Sequence, residues 1–544
     1  MVVQMNGGDA IVQSLLLHGV DTVFGIPGVQ TYALFDALHR AGDRIRLIAP
    51  RHEQTTAYMA FGYAKSTGKV GVYSVVPGPG VLNSAAALCS AYGASTPVVC
   101  IAGQVPSNFI GLGKGHLHEL PDQLATLRTL TKWAARIEHP AEAPALVAEA
   151  FRQATSGRPR PVALEMPWDV FDMKATVEIA PPLACSTIQP DPDQVAKAAK
   201  VLKTAKNPMI MVGSGAVNAA QELLALAEML QAPVVSFRSG RGIVSDEHYL
   251  GFTCAAGFKR WHETDVLIGI GSRLELQWRH WPNQPASLKI INIDIDPTQA
   301  ARIKPVVSIV GDAKESVQEL IGALRRLSAQ SPSRQEEFED LKERTWCEIQ
   351  KVRPHFEFIQ TIRAVLPRDG FFVEEICQAG FTSYYAFLVY EPRKFVTCGY
   401  QGTLGFGFPT ALGVKVGNPD KAVVSITGDG GFQFGLQDLA TAVQYGINLV
   451  TIVFNNGAYG NVLRDQQRLF EGRTLGSELR NPDFVALAES FGMAGYRACS
   501  PKQLRGALEK ALGEAAPALI EVPVDPRTEC SPWEFLKPPE TGKS

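Results

Sequence analysis

One strand–helix–strand pattern in the C-terminal third of the chain constrains the fold more than any other feature. A run over residues 422–427, rich in β-branched and apolar residues, is typical of a strand buried in a parallel sheet, and it ends at Gly428-Asp429-Gly430. A proline-free stretch over 432–445 has helical spacing, and a second β-rich run over 448–454 ends at Asn455-Asn456. The carboxyl ends of parallel strands meet at one edge of a sheet, so we expect the two polar turns to lie close together.

Asp429 and Asn456 are candidate ligands for a divalent cation at that edge. Mg²⁺ is commonly held by one or two protein oxygens together with phosphate oxygens and water. Gly430 and Gly431 lack a Cβ atom, so their backbone can approach a phosphate group and present N–H donors near the start of a helix. Either motif alone also fits an ordinary turn, but their spacing and strand context favour a site for Mg²⁺ and thiamine diphosphate.

A second motif lies almost 380 residues earlier, where an apolar run over 45–49 leads into Pro50-Arg51-His52-Glu53-Gln54. Glu53 therefore stands at a junction between a strand and a helix. A carboxyl group there can hydrogen-bond an aminopyrimidine ring nitrogen and promote loss of the proton on the thiazolium carbon. The alternative is a solvated glutamate that is favoured at the start of a helix by the helix dipole.

With these motifs, the chain resembles the thiamine-diphosphate-dependent superfamily of acetolactate synthases, pyruvate oxidases and 2-oxo acid decarboxylases. It is closest in motifs to acetolactate synthase-like proteins, and the resemblance spans nearly all 544 residues. Besides the metal motif, the matching segments are 24–28, 50–54, 60–64, 78–80, 102–104, 291–297, 402–409 and 482–488.

Length and composition agree with a large α/β enzyme, because 544 residues that are 46% hydrophobic and 19% charged can bury several cores. We expect three doubly wound parallel-sheet domains. These are a pyrimidine-binding domain at 1–172, a middle domain at 190–327 and a diphosphate- and Mg-binding domain at 355–544.

The composition also limits partners and location. A net charge of −2, without a basic tract, predicts no nucleic-acid partner. No signal-type N-terminus and no apolar stretch of about 18 residues occur, which predicts a cytoplasmic protein without a membrane span. The nine cysteines form no CxxC pair and fit neither a disulfide framework nor a zinc site.

The resemblance implies a cofactor held between two subunits, and hence a homodimer or homotetramer with its active sites at the interface. It places Leu404 under the cofactor, where the side chain imposes a bent shape. It also implies that the Gly402 carbonyl accepts a hydrogen bond from the aminopyrimidine. The Ala458 carbonyl becomes the third Mg²⁺ ligand beside Asp429 and Asn456. The remaining expected cofactor neighbours are Pro27, Gly28, Cys377, Gln378, Gly428, Gly430, Gly431, Phe432 and Tyr459.

The expected substrate pocket departs from the family's pattern. His118 replaces a glutamine of acetolactate synthases, and it could handle protons near neutral pH together with His116; alternatively, both histidines are solvated loop residues. Val29 stands where benzoylformate decarboxylases carry a serine, and Leu117 belongs to the same pocket. Asp465 aligns with a tryptophan that helps acetolactate synthases select their second keto acid, which points away from strict acetolactate synthase activity.

The function implied is thiamine-diphosphate-dependent decarboxylation or carboligation of a small 2-oxo acid through an enamine intermediate. One alternative is a carbon–carbon lyase acting on a 2-hydroxyacyl-CoA, oxalyl-CoA or diketone substrate. A non-catalytic cofactor-binding homologue is another, although it would not need Glu53. Glycine-containing turns at 212–216 and 268–272 leave the middle domain open to FAD, an adenine nucleotide or no ligand, with FAD the less favoured.

Overall fold

Three six-stranded parallel sheets flanked by helices form the framework of the chain, of which the computed structural model describes residues 2–540. The strands are β1 (Val2–Asn6), β2 (Thr22–Gly25), β3 (Arg46–Ile48), β4 (Gly71–Val75), β5 (Val98–Gln104), β6 (Ala134–Arg136), β7 (Val162–Pro167), β8 (Lys174–Glu178), β9 (Pro208–Val212), β10 (Val234–Ser236), β11 (Gly251–Thr253), β12 (Val266–Ile270), β13 (Lys289–Asp294), β14 (Val307–Val310), β15 (Phe371–Val373), β16 (Phe395–Val396), β17 (Val423–Gly428), β18 (Val450–Asn455), β19 (Ala494–Arg497) and β20 (Ala518–Pro523).

The helices alternate with these strands, as the sequence pattern predicts. They are α1 (Gly7–Leu17), α2 (Tyr32–Ala41), α3 (Glu53–Thr67), α4 (Pro79–Gly93), α5 (Gln123–Leu130), α6 (Ala143–Thr155), α7 (Trp168–Asp172), α8 (Pro192–Lys203), α9 (Ala220–Leu230), α10 (Cys254–Phe258), α11 (Thr298–Ile303), α12 (Ala313–Arg326), α13 (Gln335–Ile349), α14 (His355–Val365), α15 (Gln378–Ala386), α16 (Gly407–Gly417), α17 (Asp429–Phe432), α18 (Leu439–Gln444), α19 (Gly460–Leu469), α20 (Phe484–Ser490), α21 (Pro501–Gly513) and α22 (Trp533–Leu536).

The first and third sheets share one strand order. The first runs β3-β2-β4-β5-β7-β6 and the third runs β16-β15-β17-β18-β20-β19, which is the same order when each is counted from its own first strand. The middle sheet runs β11-β10-β9-β12-β13-β14. In each sheet the chain reverses its direction of winding beside the first strand, which is where α/β sheets bind ligands. The exact domain bounds given above stay predictions.

The structure corrects two local predictions. Residues 160–167 suggest an edge strand, but β7 lies between β5 and β6 and all of its residues are buried. The stretch 432–445 suggests one helix, whereas the structure breaks it into α17, a turn and α18. Gly435 lies in that turn against Pro409, whose Cγ would be 2.7 Å from a Cβ atom at this position.

Helices α3 and α16 cross at very short range and join the two outer domains of one chain. A Cβ atom on Gly62 would lie 2.1 Å from the carbonyl oxygen of Thr410, and one on Gly413 would lie 2.0 Å from that of Met59. Only glycine permits this approach. Nearly all of α3 is buried as a result, which explains why it has no clear polar face.

A short antiparallel pairing of β1 with β8 completes the first domain and was not evident from the sequence pattern. Within the part of the chain that the structure describes, no helix combines the length and apolar character needed to traverse a bilayer.

Candidate active site

The two polar turns of the third domain lie side by side. β17 and β18 are parallel neighbours whose register pairs Gly428 with Phe454, so Asp429, which follows β17, and Asn455, which ends β18, lie at the same sheet edge. β15 is the other neighbour of β17, and the winding reverses between these two strands. The expected metal turns therefore occupy the position at which this type of sheet binds ligands.

Asp429 is buried, with 2% of its surface exposed, and its carboxylate is held by Asn481. The Asn481 side-chain nitrogen donates to Asp429 Oδ2 at 2.6 Å and to Asn455 Oδ1 at 2.9 Å. Burial raises the pKa of Asp429, and the hydrogen bond from Asn481 opposes that rise. Asn481 was not among the residues predicted from the sequence, although it directly precedes the matching segment 482–488.

The Asn456 amide is fixed at both ends. Its Oδ1 accepts from the backbone N–H of Ala458 at 3.2 Å, and its Nδ2 donates to both carboxylate oxygens of Glu529, at 3.2 and 3.1 Å. Residues 2–540 contain no group of three or more His, Cys, Asp or Glu suited to a metal. A cation at this edge would therefore rely on a mixed set of carboxylate, amide and carbonyl oxygens, as a hard cation accepts.

The glycines after Asp429 leave no room for a side chain. A Cβ atom on Gly431 would lie 2.1 Å from Glu375 Oε1, and one on Gly430 would lie 2.5 Å from the ring of Tyr459. The Phe432 side chain is buried and packs edge-on against Phe408, and its expected place beside the cofactor stays a prediction.

Residues 377 and 378 lie at the start of α15. The Cys377 Sγ caps the helix by accepting from the Gly380 N–H at 3.3 Å, and burial raises the pKa of this thiol. The Gln378 Oε1 accepts from Arg464 at 2.8 Å, whereas its buried Nε2 has no hydrogen-bond partner within residues 2–540. Buried donors are normally satisfied, so this N–H fits an anionic ligand such as the expected diphosphate.

Glu375 organises the segment that carries Gly402 and Leu404. Its carboxylate accepts from the backbone N–H of Gly405 at 2.5 Å and of Gly407 at 3.0 Å, and from the Thr427 hydroxyl at 2.7 Å. Burial raises the pKa of Glu375 to about 7. Gly402 is exposed and adopts a φ of +59°, which glycine tolerates, and Leu404 is half-buried nearby in the chain.

Glu53 is the first residue of α3 and is half-buried. Its carboxylate accepts from the Asn83 side chain at 3.0 Å, and His52 caps the helix by accepting from the Gln54 N–H. Asn83 lies on α4, so two helices of the first domain fix the acid. Within residues 2–540, Asn83 donates to the Glu53 carboxylate and Asn481 donates to the Asp429 carboxylate, so the two acids have different side-chain partners.

His118 reaches the turn after β2. Its Nδ1 lies 3.2 Å from Gln30 Oε1, and the Gln30 amide donates to the Leu117 carbonyl at 3.0 Å. Because an amide oxygen only accepts, Nδ1 carries the proton in this contact. Val29, the preceding residue, lies at the same turn. The structure thus brings three of the four expected pocket residues together, namely Val29, Leu117 and His118.

His116 lies with its ring 5.1 Å from that of Phe109, and its Nδ1 is 3.5 Å from the Leu117 carbonyl oxygen, which also accepts from Gln30. The loop between them is held by Glu119, which accepts from the backbone N–H groups of Gly113, Gly115 and His116. These hydrogen bonds lower the pKa of Glu119. The side chain of Leu117 is half exposed at the tip of this loop.

The turn residues Pro27 and Gly28 flank the same site. Pro27 is exposed, and a Cβ atom on Gly28 would lie 2.2 Å from Val76 Cγ1, which accounts for the glycine. The close approach brings the ends of β2 and β4 together, and the winding of the first sheet also reverses between these two strands.

Asp465 lies on α19, in the third domain, and within residues 2–540 it has no hydrogen bond to the loop over 113–119, here called the histidine loop. Its carboxylate contacts Arg468 at 3.3 Å and Asn461 at 3.4 Å. None of the residues of α19 is buried. Large apolar side chains are exposed on this helix and on the segment that follows it, at Val462, Leu469, Phe470 and Leu475.

A cavity of about 440 Å³ opens between all three domains. The glycine-containing turns after β9 and β12 line it, as do cationic side chains that include Arg158 and Arg238. Arg158 of the first domain pairs with Asp294 at 3.0 Å and with Asp296 at 3.4 Å. The middle domain thus has a cleft at the glycine-containing turns that the sequence left open to a nucleotide.

Comparison with known proteins decides the family. Residues 5–126 match the N-terminal TPP binding domain of thiamine pyrophosphate enzymes, residues 195–320 the central domain and residues 376–522 the C-terminal TPP binding domain. The chain is also 35% identical to an acetolactate synthase large subunit from Haemophilus influenzae, over 93% of this chain and 92% of that protein. The chain belongs to the thiamine pyrophosphate enzymes.

Other relatives of this thiamine pyrophosphate enzyme cover the chain equally well. A probable acetolactate synthase large subunit from Methanocaldococcus jannaschii is 34% identical over 96% of this chain and 92% of its own length. A probable 2-ketoarginine decarboxylase from Pseudomonas aeruginosa is 34% identical over 95% of this chain and 94% of its own length.

These findings confirm the family, the α/β fold and the enzyme class predicted from the sequence. The protein is a thiamine-diphosphate-dependent enzyme of the decarboxylating and carboligating type. The alternative of a non-catalytic cofactor-binding homologue is set aside. The roles of individual site residues stay predictions.

Proposed function

We propose that this thiamine pyrophosphate enzyme decarboxylates a small 2-oxo acid and releases an aldehyde or joins the fragment to a second carbonyl compound. The observation that carries the proposal is the third-domain sheet edge. Asp429 and Asn456 directly follow the ends of two neighbouring strands, and Gln378, whose Nε2 has no hydrogen-bond partner within residues 2–540, begins the helix that follows a third strand, β15, so oxygen ligands for Mg²⁺ stand beside a donor for a diphosphate.

Thiamine diphosphate, when bound, supplies a nucleophilic carbon and an electron sink for the electrons left behind by CO₂. Asp429, Asn456 and the Ala458 carbonyl would hold Mg²⁺. The backbones of Gly430 and Gly431 would face the diphosphate. Glu53 would hold a proton on its carboxyl group, with Asn83 fixing the orientation of that group.

His118 is the proposed proton donor and acceptor for the reacting fragment. Its Nδ1 is engaged by Gln30, so Nε2 is the atom left to exchange a proton with the substrate. His116 packs against Phe109 and would act on the loop rather than on the substrate. The neighbouring Val29 side chain would limit the size of the pocket.

We propose that two copies of the chain form each active site, in a homodimer or homotetramer. Glu53 and Asp429 belong to different domains and have separate hydrogen-bonding partners in one chain. The exposed apolar side chains on and after α19 form a surface that a second copy would cover. This arrangement would bring Asp465 to the histidine loop of the partner.

Substrate identity is tested directly with a panel of 2-oxo acids, in the presence of thiamine diphosphate and Mg²⁺. The panel runs from pyruvate to benzoylformate and includes 2-ketoarginine, because one relative is named for that compound. CO₂ with an aldehyde identifies a decarboxylase, and CO₂ with an acyloin identifies a carboligase. No CO₂ from any member would contradict the proposal and favour cleavage of a CoA thioester or a diketone.

The reaction proposed is redox-neutral, so it needs no electron carrier. FAD would therefore carry no electrons in it, and a nucleotide in the cavity between the three domains would have a structural role. An absorption spectrum of the purified protein near 450 nm distinguishes a protein with bound flavin from one without it. A cytoplasmic location stays a prediction.

A further inference from the structure

The C-terminal segment that follows β20 folds back onto the diphosphate-binding domain. The Cys530 N–H donates to the Arg353 carbonyl at 2.8 Å, and the Trp533 indole donates to Asn461 Oδ1 at 2.6 Å. Phe535 and Leu536 are buried. The segment is therefore a packed part of this domain, and it contacts the start of α19.

Glu529 is the charged group that this segment inserts into the protein. Its side chain is 3% exposed, and its Oε1 lies 2.9 Å from Nε2 of His355, which is 1% exposed. Arg464 lies 3.9 Å from the second oxygen. A buried carboxylate is costly unless partners compensate it, and core packing alone does not require one at this position.

The third partner of Glu529 is the amide of Asn456. Both carboxylate oxygens accept from Asn456 Nδ2, at 3.2 and 3.1 Å. An amide can present either its oxygen or its nitrogen, but a carboxylate only accepts. Glu529 thus holds the nitrogen on its own side, which leaves the oxygen of Asn456 on the opposite side, where it accepts from the Ala458 N–H.

We propose that Glu529 is a positioning residue for the metal site, anchored by His355 and acting through the Asn456 amide. The inference rests on the proposed function, since it requires Mg²⁺ at Asn456. It gives the C-terminal segment a defined role, because the segment supplies the group that selects the ligand orientation of a residue more than 70 positions earlier. Partners of this kind orient ligands and tune metal affinity.

The test is a titration of the full-length protein, freed of metal and cofactor, with Mn²⁺ at saturating thiamine diphosphate. Free Mn²⁺ is measured by electron paramagnetic resonance. We expect Glu529→Gln to weaken Mn²⁺ binding by about 10- to 100-fold, since the new amide does not enforce one orientation of Asn456. Glu534→Gln is the matched control, because Glu534 lies on the same segment and forms an exposed ion pair with Lys351.

A reciprocal exchange, measured beside N456D alone because a carboxylate at position 456 is itself a stronger Mn²⁺ ligand than an amide, tests whether the pairing of the two residues matters. The variant N456D/E529Q moves the carboxylate to position 456 and the amide to position 529, which restores an amide–carboxylate pair. We expect it to recover most of the Mn²⁺ affinity lost in E529Q. If the exchange recovers nothing, or if E529Q binds Mn²⁺ as the wild type does, the inference is wrong.

The wild-type titration also separates this inference from the proposed function. Absence of Mn²⁺ binding by the wild-type protein with thiamine diphosphate would overturn both. Normal wild-type binding with an unaffected E529Q variant would overturn only the role of Glu529. Thermal unfolding of each variant shows whether a loss of affinity reflects a loss of structure, in which case the exchange variant decides.

Discussion

The Asp438 carboxylate of the diphosphate-binding domain accepts a hydrogen bond of 2.5 Å from the hydroxyl of Thr55, two residues after Glu53. It also accepts from the backbone N–H of Arg51 at 2.6 Å. Asp438 is fully buried. The start of α3, and with it the expected activating acid, is therefore held by the other outer domain of the same chain.

Replacing Asp438 with Asn is expected to lower the thermal midpoint and kcat together. Hydrogen bonds to a charged group contribute about 1.5–3 kcal/mol each, and the amide can accept with only one of its two atoms. Differential scanning calorimetry and steady-state kinetics measure the two effects. Asp420→Asn, at an exposed position, is the control and should change neither.

Replacing Glu53 with Gln is expected to abolish cofactor activation but not cofactor binding. Loss of a general acid–base group typically lowers the rate by about 10²- to 10⁴-fold. Deuterium exchange at the reactive carbon of thiamine diphosphate, followed by proton NMR, measures this step. Exposed Glu138→Gln is the control. Exchange at the wild-type rate in E53Q would show that another group activates the cofactor.

Glu374 makes the stability of the protein depend on pH. Its Oε1 accepts from the Tyr384 hydroxyl at 2.9 Å, and burial raises its pKa from 4.5 to about 7. The folded protein then holds more protons than the unfolded chain between these two values, so the free energy of unfolding falls as pH rises through this window.

Glu374→Gln should reduce that decline, because the amide does not titrate. Glu375 shifts in the same direction and keeps part of the slope. Denaturant unfolding of wild type and variant at several pH values between 4.5 and 8 compares the slopes. Glu343→Gln, on the exposed face of α13, should leave the wild-type slope unchanged.

Gly431→Ala is expected to damage the diphosphate site. The added methyl group would lie 2.1 Å from Glu375 Oε1, so Glu375 must release Gly405 or the turn must move. We expect weaker thiamine diphosphate binding and a lower thermal midpoint. Gly506→Ala on α21 meets no atom within 4 Å and should stabilise the helix by up to about 1 kcal/mol. Equal behaviour of the two variants would contradict this account.

His118→Gln is expected to lower kcat more than His116→Gln does, and to change its pH profile. The reason is that His118 contacts Gln30 at the turn that also contains Val29, whereas His116 packs on Phe109. Initial rates between pH 5.5 and 8.5 with the best substrate of the panel measure both. A larger loss in the His116 variant would reverse the assignment.

The sequence predicted the parallel sheets well, because buried strands and strand-end turns are local signals. β17 and β18 lie within one or two residues of the predicted runs. It failed where long-range packing matters, as in the break between α17 and α18, where Gly435 packs closely against Pro409 from 26 positions earlier.

The site shows the same division. Asp429 and Asn456 carry recognisable motifs, and their turns lie side by side in the structure. Asn481 and Glu529, which hold those two side chains, stand in segments without a local pattern. Partners that act across 50 or more residues leave no periodic signal, so only the folded chain reveals them.

The close crossing of α3 and α16 at their glycines has a consequence for substrate entry and product release. With backbone oxygens about 2 Å from where any side chain would begin, the two outer sheets cannot slide or hinge against each other without separating. The two outer sheets of one chain are therefore expected to move as a single rigid body. Any movement that lets substrate enter and product leave is then expected in the exposed parts, the histidine loop and α19, while the two outer sheets keep their relative position.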